Sequence, residues 1–271
     1  MGLWDEQDQF YYDILNLPDG ARVPLRVRSL VGLIPLCAVE VLDSEVFVRY
    51  PAFAARAQWI LTHRPDLAAL VSRWGEPGKN GRILLSLLRS HRMKALLARM
   101  LDETEFLSDH GVRAVSKTHA RTPFVLDAGG MRLVVDYEPG ESTTSLFGGN
   151  SNWRGPVWMP INYLLVEAIH EYEKFYDPDF KIECPTGSGV YLGLAEVAKE
   201  LTRRLTLLFR RGVDGRRAVL GARELFQNDP DFRDHIPFFE YFHGDTDAGL
   251  GASHQTGWTG LVAKLLQQSG E

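Results

Sequence analysis

The sequence predicts a mainly α protein that carries one small β-hairpin, and three stretches set that reading. Between Val157 and Tyr176, the residues Trp158, Ile161, Leu165, Ala168, Tyr172 and Phe175 recur every three or four positions, which places one apolar stripe on a helix. From Leu194 to Arg211 the same period returns in Leu194, Val197, Leu201, Leu205 and Leu208. Between residues 112 and 137 the period changes. Phe124-Val125-Leu126-Asp127 and Met131-Arg132-Leu133-Val134-Val135 flank Ala128-Gly129-Gly130, the pattern of two strands about a turn.

Taken in order, the chain opens with acids mixed among aromatics from Trp4 to Tyr12, and Leu17-Pro18-Asp19-Gly20 then reads as a turn. Residues 9–15 and 21–27 are suited to pair as a short hairpin about it. Ser29 is placed to cap a helix running to about Asp43, with Leu30, Leu33, Ile34, Leu36, Val39 and Leu42 as its apolar residues and a kink expected at Pro35. A second helix is expected over 51–63, with Phe53, Ala57 and Ile60 on one face, and a third from Pro65 at the first helical position to Trp74. Residues 89–102 form a basic amphipathic helix carrying Met93, Leu96, Leu97 and Met100, whose charges read as a solvated face or as a surface for an acidic partner. Residues 138–152 are a glycine- and serine-rich loop, and Trp258 to Gln268 closes the chain as a helix. Seven or eight helices result.

Composition bounds the function. A chain of 271 residues buries a sizeable core in one or at most two domains, and 45% hydrophobic with 24% charged residues is ordinary for a soluble protein. A net charge of −5 argues against a general attraction to nucleic acid or an acidic membrane. No run has the length and apolarity of a membrane span, the N-terminus lacks a signal-peptide pattern, and Cys37 and Cys184 do not make a disulfide framework. A cytoplasmic location is the expectation. His170-Glu171 begins a zinc-protease motif, but Lys174 stands where the second histidine belongs. Cys184 and the scattered histidines have no zinc-ligand spacing, so no metal is expected.

Two stretches carry chemistry. From Phe238 to Trp258, Glu240 stands among Phe238, Phe239, Tyr241 and Phe242, followed by a glycine-rich loop holding Asp245, Asp247, His254 and Gln255. A carboxylate in apolar company needs a partner or a retained proton. Rings that stack on sugar faces, polar groups for hydroxyls and one carboxylate together suit a sugar pocket. The alternative is a surface loop with Glu240 simply solvated. From Gly148 to Asn162 the second stretch places Trp153 and Trp158 about Arg154, Gly155 and Pro156. Trp153, Trp158 and Trp258 lie in polar, Gly/Pro-rich surroundings, which favours a pocket wall over an ordinary core.

Asn152-Trp153-Arg154-Gly155-Pro156-Val157-Trp158, Glu240-Tyr241-Phe242 and Gly257-Trp258-Thr259-Gly260 resemble motifs of glycoside hydrolase family 63, the processing α-glucosidases and their bacterial relatives. Leu3-Trp4-Asp5-Glu6 with Phe10-Tyr11-Tyr12-Asp13, and Glu183-Cys184-Pro185-Thr186-Gly187-Ser188-Gly189, resemble further family segments in the same order. The resemblance implies an (α/α)6 toroid of six helical hairpins, with residues 1–271 as one domain forming its C-terminal portion. It implies inverting hydrolysis of an α-glucosidic or related linkage in an oligosaccharide or glucoside, with Glu240 as general base and no cofactor. Trp4, Asp5, Trp153, Arg154, Trp158, Asn162, His254, Gln255 and Trp258 are the expected substrate-binding residues. The family's general acid belongs to a segment upstream of the Leu3–Glu6 motif, so Asp5, Glu6, Asp13, Asp245 and Asp247 are not assigned that role. An upstream segment or chain is the expected partner that completes the toroid. The alternative is a non-catalytic helical fragment that binds carbohydrate or a partner.

Overall fold

A computed structural model describes residues 2–69, 71, 76–128, 130–145 and 151–270. At its centre lie two helices with apolar stripes, Met159–Glu173 and Leu194–Leu207, packed against each other. Leu165, Val166, Ile169 and Tyr172 of the first face Val197, Ala198, Leu201 and Leu205 of the second inside one hydrophobic core. Each such side chain, fully buried, contributes about 1.5–3 kcal/mol. The first helix starts after the extended residue Trp158 with Pro160 in its first turn, where no hydrogen-bond donor is needed. The second starts where the Gly193 N–H donates to Glu196 Oε2 at 2.8 Å. The closing helix Val262–Ser269 packs on Leu194–Leu207 through Val262 and Leu265.

Ser90–Met100 forms the expected amphipathic helix and buries Met93, Leu96, Leu97 and Met100. Pro51–His63 is also helical as expected, although Phe53 and Ile60 remain exposed and only Ala57 is buried. Pro65 does open a helix, Pro65–Ala68; most of the expected continuation to Trp74 lies outside the described residues. The hairpin about Leu17–Gly20 pairs Asp13–Asn16 with Arg22–Leu25, and Phe124–Ala128 pairs with Met131–Val135.

The helix expected over 29–43 is not one. Leu30–Cys37 is a 3-10 helix, and Val39–Leu42 is a strand paired antiparallel with Ile83–Ser86. Pro35 has no N–H to donate to a longer α-helix, and Val39 and Val41 alternate with an outward Glu40, which suits a pleated strand. The expectation of one small hairpin is corrected likewise: the described residues hold seven two-stranded antiparallel ladders. Most are segments of two to four residues, short ladders that satisfy backbone N–H and C=O groups between the helices. The described architecture is therefore a mixture of helices and small hairpins. Among the described residues eight segments are α-helical, of which Glu45–Arg49, Pro65–Ala68 and Glu224–Asn228 are five residues or shorter.

Candidate active site

The two motif stretches meet through Val157. Its N–H donates to the Phe242 carbonyl at 2.8 Å and its carbonyl accepts from the Phe242 N–H at 3.0 Å. On its other side Val157 bridges Arg113, and the Ala114 N–H donates to the Pro156 carbonyl at 2.9 Å. A tryptophan-bearing turn and a glutamate-bearing hairpin, 85 residues apart between Val157 and Phe242, are thus one backbone unit. The hairpin pairs Tyr241–Phe242 with Gly249–Leu250.

Four rings form the floor. Trp153 and Trp158 lie parallel at 3.8 Å with 4° between their planes, Tyr241 stacks on Trp158 at 4.8 Å, and Trp258 meets Trp158 edge-on at 6.1 Å. Trp158 and Tyr241 are buried and act as the core of this cluster, with Leu30 and Ala114. Trp153 and Trp258 are partly open. The Trp158 indole N–H donates to the Asn152 carbonyl at 3.0 Å, and the Trp258 indole N–H donates to the Glu240 carbonyl at 3.1 Å. Trp258 thereby fixes the backbone of Glu240 itself.

The Glu240 carboxylate sits at the rim, half-buried, with both oxygens engaged. Oε1 accepts from the Ser151 hydroxyl at 2.7 Å and Oε2 from the Ala252 N–H at 3.3 Å. Gly251 makes that approach possible. Its φ is +67°, and a Cβ there would stand 2.7 Å from Glu240 Oε2 and 2.8 Å from the Tyr241 ring. A second carboxylate lies beside the first: Glu141 accepts from the Tyr241 hydroxyl at 2.5 Å and from the Gly251 N–H at 3.4 Å. Burial and this bond to Glu141 push the Tyr241 phenol well above its ordinary pKa, so it remains a donor. Next to Trp153 opens a cavity of about 370 Å³ lined by Leu30, Ala114, Val27, Ser29 and Asp13. A separate cavity of about 430 Å³ between the Pro51–His63 helix and Leu85–Leu87 is lined by none of these rings.

The other expected site residues divide. Arg154 is buried and its guanidinium pairs with Asp136 Oδ1 at 2.8 Å and with Glu138. With Asn152 Nδ2, which donates to the Glu138 and Gly140 carbonyls at 2.6 and 2.7 Å, it fixes the segment that presents Glu141. Asn162 is buried, 3% exposed: Oδ1 accepts from the Val112 N–H at 2.7 Å, and Nδ2 donates to the carbonyls of Val112 at 3.0 Å and Trp158 at 2.9 Å. Gln255 opens the last helix by its carbonyl, which accepts from Trp258 and Thr259 N–H at 3.0 and 2.8 Å. His254 is exposed beside Phe238. Trp4 packs on Tyr11 under the Arg92 guanidinium, and Asp5 closes its own turn by accepting from Gln7 and Asp8 N–H and pairing with Arg26. Neither joins the ring cluster.

Sequence reasoning did not single out Ser151 or Glu141. Ser151 lies inside the tryptophan motif and was visible as the polar residue before Asn152; Glu141 had no local signal, because only the fold brings its loop to Tyr241. Asp245 and Asp247 are anchors of the hairpin turn. Asp245 pairs with Lys117 at 2.8 Å and Arg113 at 3.3 Å and accepts from the Tyr137 hydroxyl at 3.0 Å. Burial raises its pKa, and these partners more than reverse that, holding it below the usual carboxylate range. Among the described residues no group of three or more His, Cys, Asp or Glu is placed to hold a metal ion. No helix among them is long and apolar enough to cross a membrane.

The family model of the mannosylglycerate hydrolase MGH1-like glycoside hydrolase domain matches residues 83–259, the span that contains the ring cluster and Glu240. The chain belongs to glycoside hydrolase family 63. An uncharacterized protein of Saccharomyces cerevisiae is 48% identical over 271 residues, 99% of this chain and 25% of that protein. The mannosyl-oligosaccharide glucosidase of the same yeast is 26% identical over 178 residues, 65% of this chain and 15% of that enzyme. A crystal structure of the family 63 mannosylglycerate hydrolase from Thermus thermophilus in complex with glucose aligns with 98% of this chain and 34% of its own, at 18% identity and a TM-score of 0.36. The chain thus spans about a quarter of the length of the yeast relative it matches throughout.

Proposed function

We propose that this chain carries the general-base side of an inverting glycosidase site that acts on an α-glucosidic or related linkage. The observation that supports it most is the Glu240 carboxylate: fixed at both oxygens by Ser151 and Ala252, on the rim of stacked tryptophans, in a family 63 chain. In such a reaction the carboxylate takes a proton from the water that attacks the anomeric carbon. An acid about 6.5–9.5 Å away, on the other face of the sugar, protonates the leaving oxygen. Ser151 and Ala252 would hold Glu240 oriented toward that water, while Trp153 offers its open face to a sugar ring. The reading places the acid in a segment outside these residues. With that segment, residues 1–271 would form the C-terminal portion of an (α/α)6 toroid as a single domain.

The test uses substrates with different needs for an acid. Fluoride leaves a glycosyl fluoride with little need of protonation, so the purified chain should hydrolyse this substrate slowly and leave natural disaccharides intact. Glu240→Gln keeps the shape and should lower the fluoride rate by about 10²–10⁴-fold. Unchanged turnover in Glu240→Gln would move the base elsewhere. Efficient cleavage of an unactivated disaccharide would show that the chain already holds an acid, and Glu141 would be the first residue to replace.

A further inference from the structure

The cavity of about 370 Å³ beside Trp153 is walled almost entirely by apolar side chains. Asp13 and Leu25 face each other across the first hairpin, so they share one face of it, and both line the cavity. Val27, Leu30 and Val31 continue that wall. Leu30 and Ala114 also pack on the ring cluster, so cavity and cluster share a side. The arginines interleaved with these residues all turn elsewhere. Arg26 pairs with Asp5 at 2.9 Å, and Arg28 reaches Tyr12, Asp8 and Glu105. Arg113 donates to the Gly244 carbonyl at 3.0 Å and pairs with Asp245. Among the described residues the Asp13 carboxylate is therefore the one charge on the wall. Ser29 is its other polar side chain, and it does not cap the Leu30–Cys37 helix. Neither Asp13 nor Ser29 makes a side-chain hydrogen bond or ion pair among the described residues.

Small-molecule sites are mostly apolar, with a few polar groups that fix orientation. An apolar cavity of roughly 150 Å³ holds a benzene ring, so this one takes a group of one or two rings. A second sugar fits it less well, since most of its hydroxyls would meet aliphatic carbon. An anion fits least, because the wall offers a carboxylate and no cation. We propose that this cavity receives the apolar, uncharged aglycone of the glycoside, packed on Leu25, Val27 and Leu30 next to the sugar that Trp153 carries, with one hydroxyl donated to Asp13. The proposal rests on the glycosidase reading for the sugar; the preference for an apolar, uncharged group follows from the wall itself.

The test is calorimetric titration of the whole 271-residue chain with the methyl, phenyl, 4-hydroxyphenyl and 4-carboxyphenyl α-glucosides. The phenyl glucoside should bind at least about tenfold more tightly than the methyl glucoside, because it adds a buried ring. The 4-hydroxyphenyl glucoside should match or exceed it. The 4-carboxyphenyl glucoside should bind at least about tenfold more weakly than the hydroxyl probe, through repulsion from Asp13, and the gap should shrink as salt rises. Asp13→Asn removes the charge and should narrow that gap. Val31→Arg, at a position 47% exposed where substitution is tolerated, adds a cation to the wall and should reverse the order of the two probes. Binding is read without turnover, so failure of Glu240 as the base leaves these outcomes standing, and failure here leaves the fluoride assay standing. Equal affinity for the methyl and phenyl glucosides would overturn the assignment. So would an aryl preference whose discrimination against the carboxylate is unchanged in both variants, since the aryl group would then bind elsewhere.

Discussion

Replacing Asn162 with alanine separates scaffold from sugar binding. The amide makes three buried hydrogen bonds, two to Val112 and one to the Trp158 carbonyl, and so ties the Met159–Glu173 helix to the Gly111–Val112 strand beneath the ring cluster. In Asn162→Ala the Val112 N–H and carbonyl both lose this partner in a site that is 3% exposed. An unsatisfied buried group costs roughly 1–3 kcal/mol, so two give about 2–6 kcal/mol, and we expect about 3 kcal/mol. For a chain of this length that corresponds to a melting point lower by roughly 6–12 °C. Urea unfolding followed by tryptophan fluorescence, alongside calorimetric melting, measures both quantities. The midpoint should fall with an unchanged denaturant slope. Asn162→Asp keeps the acceptor but loses both donated bonds, and it should be destabilised as well. A loss below ~1 kcal/mol would refute the reasoning, since it would mean the three bonds are replaced without cost. Lost affinity for a glycoside at unchanged stability would make Asn162 a ligand residue instead.

Three further outcomes follow from particular contacts. Gly111→Ala should destabilise by roughly 1–3 kcal/mol in the same unfolding assay, because φ is +130° and the new Cβ would lie 2.8 Å from Leu205 Cδ2 and 2.9 Å from Val157 Cγ1. His119 is buried, its Nε2 accepting from the Arg28 N–H at 2.9 Å and its Nδ1 facing the Thr122 carbonyl at 3.0 Å. Burial lowers its pKa, so the unfolded chain binds the extra proton first; its contribution is full above about pH 6.5 and is lost as pH falls from there through the folded value. Stability measured against pH should show this acid limb, and His119→Gln should flatten it. The apolar cavity at Phe53, Ile60 and Leu67 should bind a hydrophobic reporter dye in the folded state, and Phe53→Glu with Ile60→Glu should abolish the signal.

The sequence by itself determined the helices whose apolar stripes are long: Met159–Glu173, Leu194–Leu207 and Ser90–Met100 turn the residues their spacing marked to the core, all of them buried except Ile161, which is half-buried against it. A repeat of three and four residues has one burial solution, so little competes with it. It also determined the family, through short motifs whose residue order is legible without coordinates, and it marked Glu240 and the tryptophans as belonging to one kind of chemistry. Tertiary structure decided the rest. Val39–Leu42 is apolar enough for a helix or a strand, and only the facing edge of Ile83–Ser86 made it a strand. Trp158 and Tyr241 became the core of the ring cluster and Trp153 its open face, a division set by what packs on each ring. Arg154 and Asn162 became internal braces because carboxylates and carbonyls from distant segments reach them first. Ser151 and Glu141 came to Glu240 and Tyr241 across about a hundred residues, a pairing that depends on backbone contacts at Val157 and leaves no periodic trace in the chain.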